Sequence, residues 1–201
     1  MDIKWITNFF SEIKNSLDNE DVRNSLEELC DHIKRTRKNG NTIFFAGNGA
    51  STTIASHGAL DYMNQLAVPC IALNDPNMIT CFSNDFGYEN FMSRAIKLQA
   101  KEGDLVILIS SSGKSKNTIN AAIEAKSKGC KVVTFTGFGE DNPLKSNGDL
   151  NFWIDSARYN IVETVHMIWI VAACDMIVEE EKEFAGVHGR LLGTPNEKKL
   201  I

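Results

Sequence analysis

Apolar residues in the first 38 positions recur at helical spacing. Ile3, Ile6, Phe10, Ile13 and Leu17 mark one stripe over residues 2 to about 17, and Val22, Leu26, Leu29 and Ile33 mark a second over about 20–38. Asn39-Gly40 then supplies a stop, because glycine after the last turn takes the left-handed conformation that ends helices. Beyond it the rhythm changes. TIFFA (42–46), PCIAL (69–73), DLVILIS (104–110), KVVTFT (131–136) and LNFWI (150–154) are short β-branched or aromatic runs, the pattern of strands buried on both faces. Helices are predicted between and after them at about 51–65, 76–82, 88–101, 115–128 and 159–183. Strands alternating with helices predict an α/β fold: a doubly wound, five-stranded parallel sheet of Rossmann-like form behind two N-terminal helices. Residues 1–185 are read as one domain that includes the helix pair at about 2–38, and the Gly-punctuated segment 186–201 as an irregular C-terminal tail.

Composition narrows the partners. The 201 residues are 43% hydrophobic, enough for one domain with a sizeable core. The formal charge is −5, and Lys and Arg cluster nowhere beyond HIKRTRK at 32–38, so neither nucleic acid nor an anionic membrane is predicted as a partner. Any phosphate bound here has to be held by local groups. The five cysteines include no CxxC pair and read as reduced core thiols of a cytoplasmic protein. The N-terminal stretch has early acidic residues and no cleavage site, against a signal peptide. The most apolar stretch, IVETVHMIWIVAACDMIV at 161–178, carries Glu163, His166 and Asp175, which suits a buried or oligomer-facing helix better than a lipid-facing span.

In doubly wound sheets, ligands sit outside the carboxyl ends of the strands, and two strand-end loops here have matching chemistry. G-N-G-A-S at 47–51 offers Gly47 and Gly49 for close backbone approach, with Ser51 or Thr52 to cap the following helix. ISSSGKS at 109–115 offers Ser110, Ser111, Ser112 and Ser115 around Gly113, ahead of another helix N-terminus. Hydroxyls and helix N–H groups make a neutral, directional phosphate site. The first loop lacks GxGxxG spacing, and the second has Gly113-Lys114-Ser115 but Leu108 where a P-loop has its leading glycine, so neither is a nucleotide signature. Each alone is also ordinary turn or cap chemistry; both at the ends of strands of one sheet point to a small phosphorylated metabolite.

The series AGNGAS, ALNDPNMITCFSNDFGYENFMSRAI and GDLVILISSSGKSKNTINAAIEAKSKGCKVVTFTG resembles the SIS (sugar isomerase) domain family, and within it the phosphoheptose isomerases, over roughly residues 1–183. The resemblance implies a five-stranded parallel sheet and a homotetramer with active sites at subunit interfaces. It further implies that Ser110, Ser111, Ser112 and Ser115 hold the sugar phosphate while Asn48, Ser51 and Asp85 line the sugar. Heptose-active members carry a His and a Glu four apart on the helix after the first loop, and a Gln and a His eight apart on the last helix, lent by a neighbouring subunit. These four bind zinc, and the Glu and second His act as base and acid. Here the first pair is His57 and Asp61, one methylene shorter at the carboxylate; the second falls on Val162 and Ile170, which can do neither job. A frequent arginine one turn past the Glu falls on Gln65.

Helical spacing places His166 between positions 162 and 170, and Glu163 with His166 forms a Glu-x-x-His pair of a metal-binding kind. With His57 and Asp61 this offers a zinc set; the competing reading has Glu163 and His166 satisfying each other or a neighbouring chain. Catalytic candidates are therefore Asp61 as base, His57 or His166 as acid or electrophile, and Glu163. Three functions follow: a phosphosugar aldose–ketose isomerase working through an enediol, a catalytically impaired phosphosugar sensor or regulatory subunit, and a tetrameric scaffold. Trp153, Trp169 and Phe44-Phe45 read as packing; Phe82, Phe86 and Tyr88 flank Asp85 in a loop; His188 and Arg190 in the tail are within possible reach of a neighbour's site.

Overall fold

A computed structural model describes residues 3–185 of the chain. The tail at 186–201, with His188 and Arg190, lies outside the described residues. Helices α1 (Ile3–Leu17) and α2 (Glu20–Lys38) precede strands β1 (Ile43–Gly47), β2 (Cys70–Ala72), β3 (Leu105–Ser110), β4 (Lys131–Thr136) and β5 (Leu150–Trp153). All five pair in parallel, in the order β2-β1-β3-β4-β5. The remaining helices are α3 (Ala50–Leu66), α4 (Pro76–Phe86), α5 (Phe91–Gln99), α6 (Lys116–Ser127) and α7 (Tyr159–Ala185).

Local chemistry sets the boundaries. Asn19 accepts from the Val22 N–H to cap α2, and Asp75 accepts from Met78 N–H to cap α4, where Pro76 takes the first turn. Strand side chains alternate between two apolar layers. Ile43 and Phe45 face α2, α3 and α7, whereas Phe44 and Ala46 face α5 and α6. The adjacent phenylalanines are thus core residues on opposite faces. Trp169 is likewise core and donates its Nε1–H to Leu17 O at 3.0 Å, tying α1 to α7. By length and composition Tyr159–Lys182 is apolar enough to cross a membrane, but core helices pass the same test, and 56% of its most apolar window is buried within the fold.

One boundary differs from the sequence expectation. Helix α4 continues past residue 82 to Phe86, so Asp85 stands in its last helical turn and not in a loop. The polar run Ser83-Asn84-Asp85 resembles loop composition, but the real stop is Gly87, at φ 86°, whose N–H bonds Ser83 O.

Connectivity fixes where a ligand can sit. The chain leaves β1 through α3 to β2, then reverses across β1 through α4 and α5 to reach β3. Reversal moves the crossover helices to the other face, which opens a crevice at the carboxyl ends of β1 and β3. The two loops singled out by their composition, 47–49 and 111–115, are the two that border this crevice.

Candidate functional site

The first loop is built by two glycines with different tasks. A Cβ on Gly47 would lie 2.7 Å from Ser51 Cβ and 2.8 Å from the Ser51 backbone, so no side chain fits there. Gly49 holds φ 56° and is itself the N-cap of α3. The expected cap by Ser51 or Thr52 is therefore replaced: Thr52 turns its hydroxyl back to Gly47 O at 2.7 Å, and Ser51 is buried in the first turn. Asn48 faces across the crevice. It forms a reciprocal amide pair with Asn117 of α6, both bonds 2.9 Å, and accepts from the Tyr88 hydroxyl at 3.0 Å. Asp85, by contrast, engages its own helix neighbours, with Asn84 Nδ2 at 2.9 Å and Cys81 Sγ at 3.8 Å.

Gly113, at φ 62°, shapes the second loop, where a Cβ would meet Asn142 Oδ1 at 1.9 Å. Asn142 is fully buried behind the loop, donating to Gly139 O at 2.9 Å and Thr136 Oγ1 at 3.2 Å. Ser110 and Ser111 are largely buried, whereas Ser112 and Ser115 are half-buried. Ser115 is the N-cap of α6 yet makes no side-chain cap bond, so its hydroxyl is available beside the first N–H groups of the helix. Those N–H groups and the exposed Lys114 and Lys116 favour an anion at this point.

The helical candidates separate. His57 Nε2 meets Asp61 Oδ2 at 3.1 Å on α3, with the imidazole half-exposed and the carboxylate mostly covered. Glu163 of α7 accepts a long bond of 3.4 Å from Ser111 Oγ, which puts a carboxylate against the serine loop. His166 does not join either group. It is completely buried, its Nε2 donates to Thr136 O at 3.1 Å, and its ring stands edge-on to Phe135. Burial lowers its pKa to about 4, outweighing the Thr136 bond. Fully buried, and in no group of three metal-binding side chains among the described residues, this neutral imidazole is neither the acid nor the zinc ligand expected of it. Neither does it pair with Glu163 or a neighbouring chain. Among the described residues, no three His, Cys, Asp or Glu side chains come close enough to hold one metal ion.

Val162 and Ile170 are also fully buried, within their own chain. The Val162 methyls fill the space above Gly137, and Ile170 Cγ2 that beside Gly58. Residues serving a neighbouring subunit must be accessible, and these are not. One position on, Glu163 and Val171 keep the eight-residue spacing on the half-buried side of the helix.

The family model for the SIS domain matches residues 8–137. The chain belongs to the SIS domain family. It is 36% identical over 162 residues to a phosphoheptose isomerase of Glaesserella parasuis, covering 78% of this chain and 83% of that protein. A phosphoheptose isomerase of Pectobacterium atrosepticum is 33% identical over 185 residues, covering 90% of this chain and 91% of its own. The structure of a phosphoheptose isomerase from Francisella tularensis superposes with a TM-score of 0.79 at 25% identity, over 87% of this chain and 96% of that one. The SIS sheet and both strand-end loops thus lie in a fold shared along nearly the whole length of these relatives. Asn117 escaped the sequence reading, because an Asn in a first helical turn carries no pattern of its own, and Tyr88 was read only as a neighbour of Asp85 and not as a partner of Asn48.

Proposed function

We propose that this protein is an aldose–ketose isomerase of a phosphorylated sugar, of the phosphoheptose isomerase type, working through an enediol. One observation carries the reading: at the switch point, a serine loop with free helix N–H groups faces a Gly-Asn-Gly loop whose Asn48 is cross-braced to α6. The first suits a phosphate, the second a sugar oxygen, and the names of the curated relatives agree with both.

Isomerisation needs a base to take a proton from the carbon beside the carbonyl and return it to the neighbouring carbon. Asp61 is the base in this reading, held in place by His57 at 3.1 Å, and His57 is the acid that stabilises the developing oxyanion. Glu163 takes the place the family fills with Gln, shifted one residue from Val162, and reaches the site of a neighbouring copy in a homotetramer. The cytoplasm is the compartment this reading implies. With His166 turned inward, zinc retains His57, Asp61 and Glu163 as candidate donors, and no step is routed through it.

Incubation with sedoheptulose 7-phosphate in D₂O, followed by NMR with and without zinc, tests the reading. Deuterium beside the carbonyl and an aldose product are expected, with Asp61→Asn slowing exchange on the order of 10²-fold or more. Unchanged exchange in Asp61→Asn removes the base assignment. Saturable line broadening without exchange in the wild type makes the protein a phosphosugar binder without turnover.

A further inference from the structure

We propose that Asn117 and Tyr88 are positioning residues that fix Asn48 as a hydrogen-bond donor, leaving it one side-chain N–H for an acceptor oxygen of the ligand. The backbone N–H of Thr118 can only donate, and it lies 2.9 Å from Asn117 Oδ1. That contact decides which end of the Asn117 amide is oxygen. The NH₂ end therefore faces Asn48 Oδ1 at 2.9 Å, and the return bond runs from Asn48 Nδ2 to Asn117 Oδ1, also 2.9 Å. Flipping Asn48 alone would set nitrogen against nitrogen and oxygen against oxygen. With that orientation fixed, the Tyr88 hydroxyl at 3.0 Å must be the donor to Asn48 Oδ1.

An amide oxygen has two lone pairs, and both are now taken. Of the two Nδ2 protons, Asn117 takes one. The brace is itself held: Asn117 is only 2% exposed, and Asn120 donates to Glu89 O at 2.9 Å and Asn90 Oδ1 at 3.1 Å, fixing the turn that carries Tyr88. Tyr88 also packs its ring on Phe91, 5.2 Å between centroids. Half-buried Asn48 thus meets a ligand as a donor only. Carbonyl and hydroxyl oxygens of an open-chain sugar satisfy it, whereas an ammonium at the same place finds no acceptor on it. The identity of that ligand rests on the isomerase reading; the orientation of Asn48 does not.

Two ligands and two variants separate the possibilities. Wild type, Tyr88→Phe and Asn117→Asp are titrated with sedoheptulose 7-phosphate and with inorganic phosphate. Asn117→Asp is isosteric and keeps the Thr118 cap but sets an oxygen against Asn48 Oδ1. Sugar phosphate binding is expected to weaken about threefold in Tyr88→Phe and about tenfold or more in Asn117→Asp. Inorganic phosphate, held by the serine loop, should stay within about twofold in Tyr88→Phe, while in Asn117→Asp the new charge in the first turn of α6 weakens it too, by less than it weakens the sugar phosphate. Equal loss of both ligands, or no loss of either, would remove the positioning role. The free protein gives a readout independent of the sugar: one Asn48 side-chain amide proton exchanges slowly in the wild type and fast in Asn117→Asp. A wild type that binds no sugar phosphate counts against the isomerase reading alone; an Asn48 amide whose exchange is the same in both proteins counts against the brace alone.

Discussion

His166 binds no proton in the folded chain until about pH 4, because it is sealed between Phe135 and Trp169, while its ordinary value is 6.5. Between those values the unfolded chain holds more protons than the folded one, so stability falls as pH drops from about 6.5 to about 4 and is insensitive to this residue above. At about 1.4 kcal/mol per pKa unit, the full effect is on the order of 3 kcal/mol. His166→Phe should flatten that part of the urea-midpoint-versus-pH curve while costing less than about 1.5 kcal/mol at pH 7. The vacated Thr136 carbonyl keeps the Ile154 N–H at 3.0 Å. A variant curve parallel to wild type would assign the acid sensitivity elsewhere. The same residue shows what single positions conceal. His57 and Asp61 were legible as a pair, because four residues on a helix bring side chains together whatever surrounds them. The direction of His166 was not, since α7 is apolar around its whole circumference and offers no periodicity from which to read a face.

Elements were more legible than their contacts. Continuous apolar runs announced all five strands, and Asn39-Gly40 announced the end of α2, because both signals are local. The crossing of α3 and α7 is not local, and it turns on Gly58. Gly→Ala inside a helix ordinarily stabilises by up to about 1 kcal/mol. Here the added Cβ would meet Ile170 Cγ2 at 2.8 Å and Phe45 Cε1 at 3.0 Å, both in the packed core. Overpacking of that kind costs about 1–3 kcal/mol, so the net effect is destabilising. Gly58→Ala is expected to lower the thermal midpoint by several degrees, and Ile170→Leu, which moves the branch off Cβ, to recover part of the loss in the double variant. A midpoint at or above wild type would mean that the helices separate without cost and that close packing does not hold them.

At the scale of the whole molecule, correctly placed strands and the rule that ligands sit at their carboxyl ends single out the two candidate loops, and the strand order β2-β1-β3-β4-β5 then puts both beside the switch point. What a single chain leaves open is how its bare faces are covered. Helix α1 has no buried residue; it docks through Phe9, Ile13 and Leu17, with Glu12 bonded to Arg158 at 3.0 Å. Further toward its N-terminus the same stripe is bare at Ile3, Ile6 and Phe10, with Phe10 63% exposed. Leu60 and Met63 of α3 and Ile168 and Met176 of α7 are exposed as well. Soluble monomers rarely leave this much large apolar surface in water, and the proposed tetramer needs surfaces of this kind. Phe10→Asp should therefore shift the sedimentation coefficient at micromolar concentration toward smaller species while far-UV circular dichroism stays native, because Phe10 is mostly exposed and meets the docked Phe9 ring only edge-on. If Glu163 serves a neighbour's site, turnover must fall in step with the loss of the larger species and return as protein concentration is raised. Turnover that is independent of concentration in a dissociated variant would place the whole site within one chain, and a wild type that sediments as a monomer would leave the α1 stripe without this explanation.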